Sequence, residues 1–210
     1  IMIYGSYLMR NFKKTLSFLL STVIIVSSVV GVGTTVFAAT DEHTYKNFKY
    51  RILDDNTAEI CGYTGKNAVV TVPDSIDSKP VTSIGRTAFY SGKIKEVTIP
   101  NTVRSIKWWA FYGCESLEKI NLNFGLKTVG YGAFMNCKKL KSVSIPMSVT
   151  QICDDSFAVS CSTQKGVFDT YSKQTISTQQ YSTDSSFTLE GYSGTVAEKY
   201  CNDNSLNFVS

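Results

Sequence analysis

The sequence has few of the side chains on which most enzymes depend. It contains a single histidine, His43, and only two tryptophans in 210 residues. A histidine-activated nucleophile would need His43 to be held against the rest of the chain, and no neighbouring pattern predicts such an arrangement. The sequence also lacks a CxxC pair of zinc-ligand spacing and a glycine-rich phosphate loop. We therefore expect the protein to have no enzymatic activity, no cofactor and no metal site.

The chain without its N-terminal segment also lacks a clear excess of positive charge. The 21 Lys and Arg exceed the 17 Asp and Glu by four, but Arg10, Lys13 and Lys14 belong to an N-terminal segment of export type. Without these three, 18 basic residues stand against 17 acidic ones. No basic patch remains that would attract nucleic acid or anionic lipid, so we expect neither as a partner.

Residues 1–38 have the pattern of a short upstream stretch followed by a secretory signal peptide. Three basic residues precede an uncharged apolar run from Leu16 to about Val36, and the small residues Ala38 and Ala39 follow. This order is typical of a cleaved export signal, with cleavage after Ala38 or Ala39. We therefore expect a secreted protein that is released or loosely held at the cell surface. The alternative is a retained membrane anchor, because the apolar run is long enough to cross a bilayer.

A repeat of about 23 residues dominates the rest of the chain, from Val70 to Phe157. Three of the four prolines fall at one repeat position, directly after a predicted strand. A fixed period of about 20–30 residues indicates a solenoid, in which each turn packs only on its neighbours. A phenylalanine also recurs in each unit, as Phe89, Phe111, Phe134 and Phe157.

The pattern changes within each unit from alternation to wider spacing. Apolar residues alternate in four segments, which predicts short strands at Val70–Val72, Val97–Ile99, Ile120–Leu122 and Val143–Ile145. The remainder of each unit predicts a turning, partly helical return, with the phenylalanines in the interior. The predicted fold class is α/β: a solenoid with a short parallel β-sheet on one face, turns or short helices on the other, and caps at both ends.

The repeat phrases resemble those of a known family. The pattern IPxxVxxIxxxAFxxCxxL, found from Ile99 to Leu117 and with small departures from Leu122 to Leu140, is similar to the BspA-like leucine-rich repeats of bacterial cell-surface proteins. Residues 50–89 resemble the opening turn of that family, and residues 187–210 resemble its closing segment. The resemblance implies a leucine-rich-repeat solenoid with an adhesion or recognition role.

Patterns at both ends of the repeats predict caps. Residues 39–62 are predicted to form a linker and a capping hairpin, followed by repeats at 63–161. Residues 187–210 predict a C-terminal cap with a short helix begun by Thr195 and a last strand at Asn207–Val209. Residues 162–186 are rich in Ser, Thr and Gln, which predicts a surface loop inserted into the last turn. That loop would be either a recognition loop or a tolerated insertion.

The six cysteines all follow the export segment, where disulfides are permitted. Cys114 and Cys137 share a repeat position, and stacking at the turn spacing would hold them too far apart for a good bridge. We therefore expect both to be buried free thiols. Cys153 and Cys161 are the only plausible pair, and the sequence leaves open whether they bond.

Two surfaces carry the functional hypothesis. The first is the outward face of the strands, whose side chains are small or polar and include Thr98, Lys119, Asn121, Ser142 and Ser144. The second is an aromatic patch on the return side, made of Arg86, Trp108, Trp109 and Tyr131. The first surface could instead be a solvated sheet without a partner. The aromatic residues of the second could instead pack locally over the turn.

These features together predict a secreted, non-enzymatic binding module whose partner is an extracellular protein. The first alternative is a carbohydrate-binding module that uses the aromatic patch. A small secreted hydrolase is the second and weakest. A membrane would be a partner only through an uncleaved signal segment, and the sequence assigns no oligomeric state.

Overall fold

The computed structural model describes residues 42–169 and 174–210, with residues 162–169 and 174–180 described by their backbone alone. They belong to one compact unit, Thr40–Ser210. The predicted signal segment 1–38 and the start of the predicted linker, 39–41, lie outside the described residues. Within the described ranges, no helix has both the length and the apolar character needed to cross a bilayer.

Short strands make up most of the regular structure. In chain order the described elements are β1 His43–Tyr45, β2 Phe48–Ile52, β3 Ala58–Tyr63, β4 Val69–Thr71, β5 Ser75–Ile76, β6 Lys79–Ile84, β7 Glu96–Thr98, β8 Ser105–Ile106, β9 Lys119–Asn121, β10 Thr128–Val129, β11 Ser142–Ser144, β12 Gln151–Ile152, β13 Val159–Asp169, β14 Gln174–Thr183, β15 Thr188–Glu190, α1 Val196–Asn204 and β16 Asn207–Val209.

The repeats stack in parallel and in register, as a solenoid requires. β4, β7 and β9 form one three-stranded sheet in which Val70, Val97 and Ile120 are aligned. β11, β15 and β16 form a second three-stranded sheet with the same parallel pairing. The predicted solenoid is therefore confirmed, with six sheet strands of this kind: the four predicted repeat strands, the additional β15, and β16, which was predicted as a strand of the C-terminal cap.

The return segments differ in detail from the prediction of a partly helical return. They hold short strands, β6, β8, β10 and β12, which pair in parallel as a separate sheet. At these strands the backbone groups bond to the neighbouring turn: Lys107 N–H donates to Ile84 O at 2.8 Å, and Gly130 N–H donates to Ile106 O at 2.8 Å. Beyond these strands, bonds between turns alternate with i to i−3 bonds within a turn, such as Cys114 N–H to Phe111 O at 3.1 Å, so the returns form tight turns instead of an i to i−4 helix.

The phenylalanine series forms a stacked column in the core. Ring centroids are 4.8 Å apart for Phe89 and Phe111, and the next two spacings, through Phe134 to Phe157, are 5.2 and 4.9 Å. These distances match the strand spacing of about 4.8 Å, so one ring fits each turn. Phe187 extends the column at 5.9 Å from Phe157. The sequence pattern had placed Phe187 in the cap.

Each described return bends at two positions where the backbone is left-handed. The φ values lie between 52° and 72° in two series, Thr87, Trp109, Gly132 and Asp155, and Ser91, Gly113, Asn136 and Ala158. Only two of these eight residues are glycine, the residue that adopts this conformation at least cost. Hydrogen bonds between turns hold the others in place, such as Phe89 N–H to Ala110 O at 2.7 Å.

Asn123 shows how one turn replaces the proline that follows the other strands. Its buried side chain accepts a hydrogen bond from Gly125 N–H at 2.6 Å and donates to Val103 O at 3.4 Å. These bonds fix the turn that a proline ring would otherwise restrict. The following residue, Phe124, is 79% exposed.

The N-terminal residues close the first turn on its return side. β1, β2 and β3 pair antiparallel, and β3 continues in parallel onto β6. The hairpin buries Phe48 and Tyr50 against the core, and the Tyr50 hydroxyl donates to Asp77. This cap covers the open apolar end that a solenoid would otherwise expose.

A buried carboxylate joins this cap to the first two turns. Glu59 on β3 is 1% exposed and pairs with Arg51 of β2 at 2.5 Å and with Lys107. Ser83 of β6 donates to it at 2.8 Å. Burial alone would raise the pKa of Glu59, but the bonds from Lys107 and Ser83 and the charges of Lys107 and Arg51 hold that pKa below its ordinary value.

The segment predicted as a surface loop, residues 162–186, holds most of two strands. They form an antiparallel hairpin of β13 and β14 that pairs from Val159 with Thr183 outwards. Asn136 fixes its base, because its side chain accepts from Cys161 N–H at 2.6 Å and donates to Cys161 O at 3.3 Å. The polar composition concealed the strands, since cross-strand hydrogen bonds do not require apolar alternation.

The C-terminal cap consists of α1 and β16. Tyr200 of α1 packs edge-on against Phe157 at 6.1 Å, and its hydroxyl oxygen accepts from Phe157 N–H at 3.1 Å. Thr195 is the N-cap residue, but its hydroxyl donates to Tyr192 O instead of capping the helix. Glu198 accepts from Gly194 N–H at 2.7 Å and supplies an acceptor at this helix end.

Candidate binding surfaces

The outward strand positions lie where alternation predicts them. Thr98 and Asn121 are half-buried, while Lys119, Ser142 and Ser144 are exposed. The residues between them point inward: Val97, Ile120 and Val143 are at most 6% exposed. The sequence did not include Thr188, Glu190, Asn207 and Val209, which extend this face across β15 and β16. The alternation at Phe187 and Leu189 was the signal for the added strands. We call the outward positions of β4, β7, β9, β11, β15 and β16 the strand face.

Hydrogen bonds and an ion pair among the polar side chains of the strand face hold these side chains in place. Asn121 donates to Glu96 at 2.9 Å and to Thr98 at 3.2 Å, and Lys119 lies 3.1 Å from the Glu96 carboxylate. The bonds from Asn121 and Lys119 lower the pKa of Glu96. On the other half, the Ser144 hydroxyl donates to Glu190. The face therefore presents donors and acceptors in fixed positions.

The aromatic patch is brought together as predicted, but much of it packs on itself. The Arg86 guanidinium lies 4.7 Å from the centre of the Trp109 ring. Tyr131 meets that ring edge-on at 6.0 Å. Trp109 is half-buried, whereas Trp108 is 50% exposed. The patch is thus a cation–π and aromatic cluster from which one indole projects.

The indoles of Trp108 and Trp109 pack over two glycines of the next turn. A Cβ atom at Gly132 would lie 2.7 Å from Trp109 Cδ1, and one at Gly130 would lie 2.9 Å from Trp108 Cδ1. Both separations are shorter than a carbon–carbon contact allows. Each indole therefore covers a glycine about 23 residues further along the chain, and this packing favours a structural role for Trp109 in particular.

A second aromatic pair lies nearby and was missed by sequence reasoning. Tyr90 and Tyr112 stack with ring centroids 5.4 Å apart and planes within 4°. Tyr90 is 59% exposed. Tyr112 N–H donates to Trp109 O at 3.1 Å, which places the pair one tight turn from the aromatic patch. Both tyrosines directly follow a column phenylalanine, and that recurrence was the available signal.

All six cysteines are free thiols. Cys114 and Cys137 are buried as predicted, and burial raises the pKa of Cys114 to about 12. A thiol protonated to that extent is a poor nucleophile. Cys153 and Cys161 are half-buried and do not bond to each other.

The described residues offer little that could hold a small ligand. They contain no group of three or more His, Cys, Asp or Glu side chains arranged for a metal. A recess beside Cys137, Ala158 and Asp184 has about 20 Å³ of space for a water molecule, far below the several hundred Å³ of a ligand pocket. His43 lies exposed on β1 with its ring 5.4 Å from Tyr50. Broad surfaces are therefore the candidates for function.

Comparison with known proteins agrees with this architecture. The BspA-type leucine-rich repeat region matches residues 70–189 in six copies. No curated protein is significantly similar to the chain.

Solved structures of bacterial leucine-rich repeat proteins are similar to this one. A leucine-rich repeat protein from Bacteroides capillosus is 31% identical, with a TM-score of 0.52 over 54% of this chain and 88% of that one. The T. pallidum leucine-rich repeat protein is 34% identical, with a TM-score of 0.51 over 53% of each chain. The repeat sequence and the fold therefore agree: the chain belongs to the BspA-type leucine-rich repeat family.

Proposed function

We propose that this protein is a secreted module that binds an extracellular protein through the strand face. The observation that carries the proposal is the ordered polar surface on six parallel strands, in which Asn121 is held between Glu96 and Thr98. None of these side chains is needed to fill the core. Preordered donors and acceptors favour recognition because little side-chain entropy is lost on binding.

The size of the strand face sets the kind of partner that it suits. Six strands spaced about 4.8 Å apart extend over about 24 Å. A standard interface takes about 800 Å² from each partner, so it would cover the strand face and the loops at the strand ends. A folded protein surface meets this requirement better than a small molecule does.

Binding is tested with a panel of extracellular-matrix proteins and the unit formed by residues 40–210, whose core is closed by a cap at each end. Asn121→Arg should weaken binding at least tenfold, because it adds bulk and charge at the centre of the strand face. Ser182→Arg is the matched control, since Ser182 is exposed at the base of the hairpin. Equal affinities for the two variants would contradict the proposal.

Secretion is the second part of the proposal, and it is supported by the export pattern of residues 1–38 and by the surface-protein character of the repeat family. Fractionation of cells that express the full chain should recover it in the medium or in a loosely bound surface fraction, without residues 1–38. Recovery of the intact chain from the membrane fraction would contradict cleavage.

Carbohydrate binding is a second candidate, favoured by the 50% exposure of Trp108 and by the exposed Tyr90 nearby. Exposed rings of this kind stack on sugar faces. A glycan array should then show binding that Trp108→Ala abolishes and Asn121→Arg leaves unchanged. The opposite pattern would assign binding to the strand face.

The proposal treats the protein as non-enzymatic, since this repeat family and solenoid fold are typical of binding modules. A screen with general ester and glycoside substrates is expected to give no turnover. Turnover that depends on a named residue of this chain would favour the hydrolase alternative.

A further inference from the structure

Three exposed apolar side chains line up on consecutive turns beside the strand ends. Phe124 is 79% exposed, Met147 is 64% exposed and Tyr192 is 51% exposed. Phe124 and Met147 occupy the same repeat position, directly after Asn123 and Pro146, and Tyr192 follows β15 on the next turn. We call these three side chains the rim stripe.

Hydrogen bonds between the turns hold the rim stripe in register. Ser148 Oγ donates to Leu126 O at 2.8 Å, and Thr150 N–H donates to Lys127 O at 2.9 Å. Ile145 N–H donates to Glu190 O at 2.8 Å, which joins the turn of Met147 to that of Tyr192. Turns paired in this way are about 4.8 Å apart, so the three side chains form one continuous patch.

The exposed area of the rim stripe is of the size that often marks a functional contact site. Three large side chains at these exposures present roughly 400 Å², which is the size of the largest apolar patches on typical monomers. This is about half of the 800 Å² that each partner contributes to a standard interface. The polar rim around the patch would supply the remainder.

Charge changes sign from one end of the rim stripe to the other. Arg104 and Lys127 are exposed near the Phe124 end, and neither has a carboxylate within 4.0 Å among the residues whose side chains are described. Glu190 is exposed at the Tyr192 end, and Glu198 is half-buried in the first turn of α1. Met147 lies between the two ends.

We propose that the rim stripe is a self-association surface on which two copies pack antiparallel about a two-fold axis near Met147. In this arrangement Phe124 of each copy meets Tyr192 of its partner, and the basic end of each stripe faces the acidic end of the other. Parallel packing would instead bring like charges together. The reversal of charge about Met147 makes the surface complementary to itself, as a two-fold interface requires.

Sedimentation velocity on residues 40–210 tests the association. The unsubstituted unit should be a dimer, and Met147→Asp should be a monomer because two carboxylates would meet at the axis. Tyr90→Ser is the control, since Tyr90 is 59% exposed outside the rim stripe and its loss should leave the dimer intact. A unit that is monomeric at about 100 µM would overturn the proposal, because specific dimers are populated at that concentration.

Charge exchange tests the antiparallel arrangement separately. Lys127→Glu and Glu190→Lys should each weaken the dimer about tenfold, and the double variant should restore it. The unsubstituted dimer should also weaken as salt is raised. A double variant that is no tighter than the single ones would overturn the antiparallel arrangement, whereas failure of protein binding at the strand face would leave both tests unaffected.

Discussion

The N-terminal end of the solenoid is closed by aromatic rings together with a buried, paired carboxylate, whereas the C-terminal end is closed by aromatic rings. At the first end, Glu59 links the hairpin to two turns through Arg51, Lys107 and Ser83. At the second, Phe187 and Tyr200 cover Phe157. Both ends meet the same need, which is to cover the last apolar turn. They should respond differently to mutation and to pH, because the first depends on the ion pairs of Glu59 and the second on ring packing.

The largest effect is expected at the aromatic end. Phe187→Ala should lower the free energy of unfolding by about 3–5 kcal/mol, because it removes a fully buried ring from the end of the column. Phe187→Leu should cost clearly less. Denaturant unfolding at neutral and at mildly acidic pH measures both, and a Phe187→Ala loss below about 1 kcal/mol would show that the last ring is dispensable.

At the charged end, Glu59→Gln should lower the free energy of unfolding by about 2–3 kcal/mol at neutral pH. Arg51 and Lys107 would lose their counterion, although their side chains are 36% and 40% exposed and are partly hydrated. Glu96→Gln is the matched control, because Glu96 is also paired with a lysine but lies on the surface. Its cost should be below about 0.5 kcal/mol. Equal losses would mean that burial of Glu59 contributes nothing.

Lowering the pH should destabilise the N-terminal end before the C-terminal end, without any substitution. The lowered pKa of Glu59 means that its stabilisation is present above the ordinary carboxyl pKa and is lost as pH falls through the folded-state value. Amide exchange in β3 and β6 should therefore accelerate at acidic pH before exchange in β15 and α1. Asp184, near the second end, keeps its charge longer, because the bonds from Lys141 and Ser186 lower its pKa to about 2. Exchange that begins in α1 would contradict this order.

The smallest effect distinguishes two residues at the start of α1. Thr195→Ala should cost less than about 0.5 kcal/mol, below the usual value for an N-cap, because its hydroxyl does not cap the helix. Glu198→Ala should cost about 0.5–1 kcal/mol, since it removes the acceptor of Gly194 N–H and an acidic charge from the first turn. Thermal melts of the two variants make the comparison, and the reverse ranking would restore Thr195 as the capping side chain.

The sequence predicted the repeating part of the fold well, down to the direction of single side chains. Phe111 and Phe134 were assigned to the core, and Asn121 and Ser144 to the outward face, where the structure has them. Prediction missed the β13–β14 hairpin in the segment 162–186, where polar composition concealed the strands. The reason is that cross-strand pairing depends on backbone bonds, which composition does not reveal.

The sequence predicted which residues form the candidate surfaces, but not how their side chains pack. Trp108 and Trp109 could be assigned to the return side from their place in the unit. The contacts of their indoles with Gly130 and Gly132 depend on the next turn. The rim stripe was overlooked because Phe124 and Met147 share a repeat position but Tyr192 lies 45 residues beyond Met147, after the hairpin that interrupts the period.

The sequence by itself determined the period, the inward and outward positions and the phenylalanine column. It could do so because each turn of a solenoid contacts only the next one, so one local rule repeated along the chain defines the core. The tertiary structure alone decided what happens where the period ends. The partners of Glu59, the base of the β13–β14 hairpin and the position of Tyr192 beside Met147 all lie at or beyond an end of the regular repeats. Their contacts depend on burial and geometry that exist only after the turns have stacked.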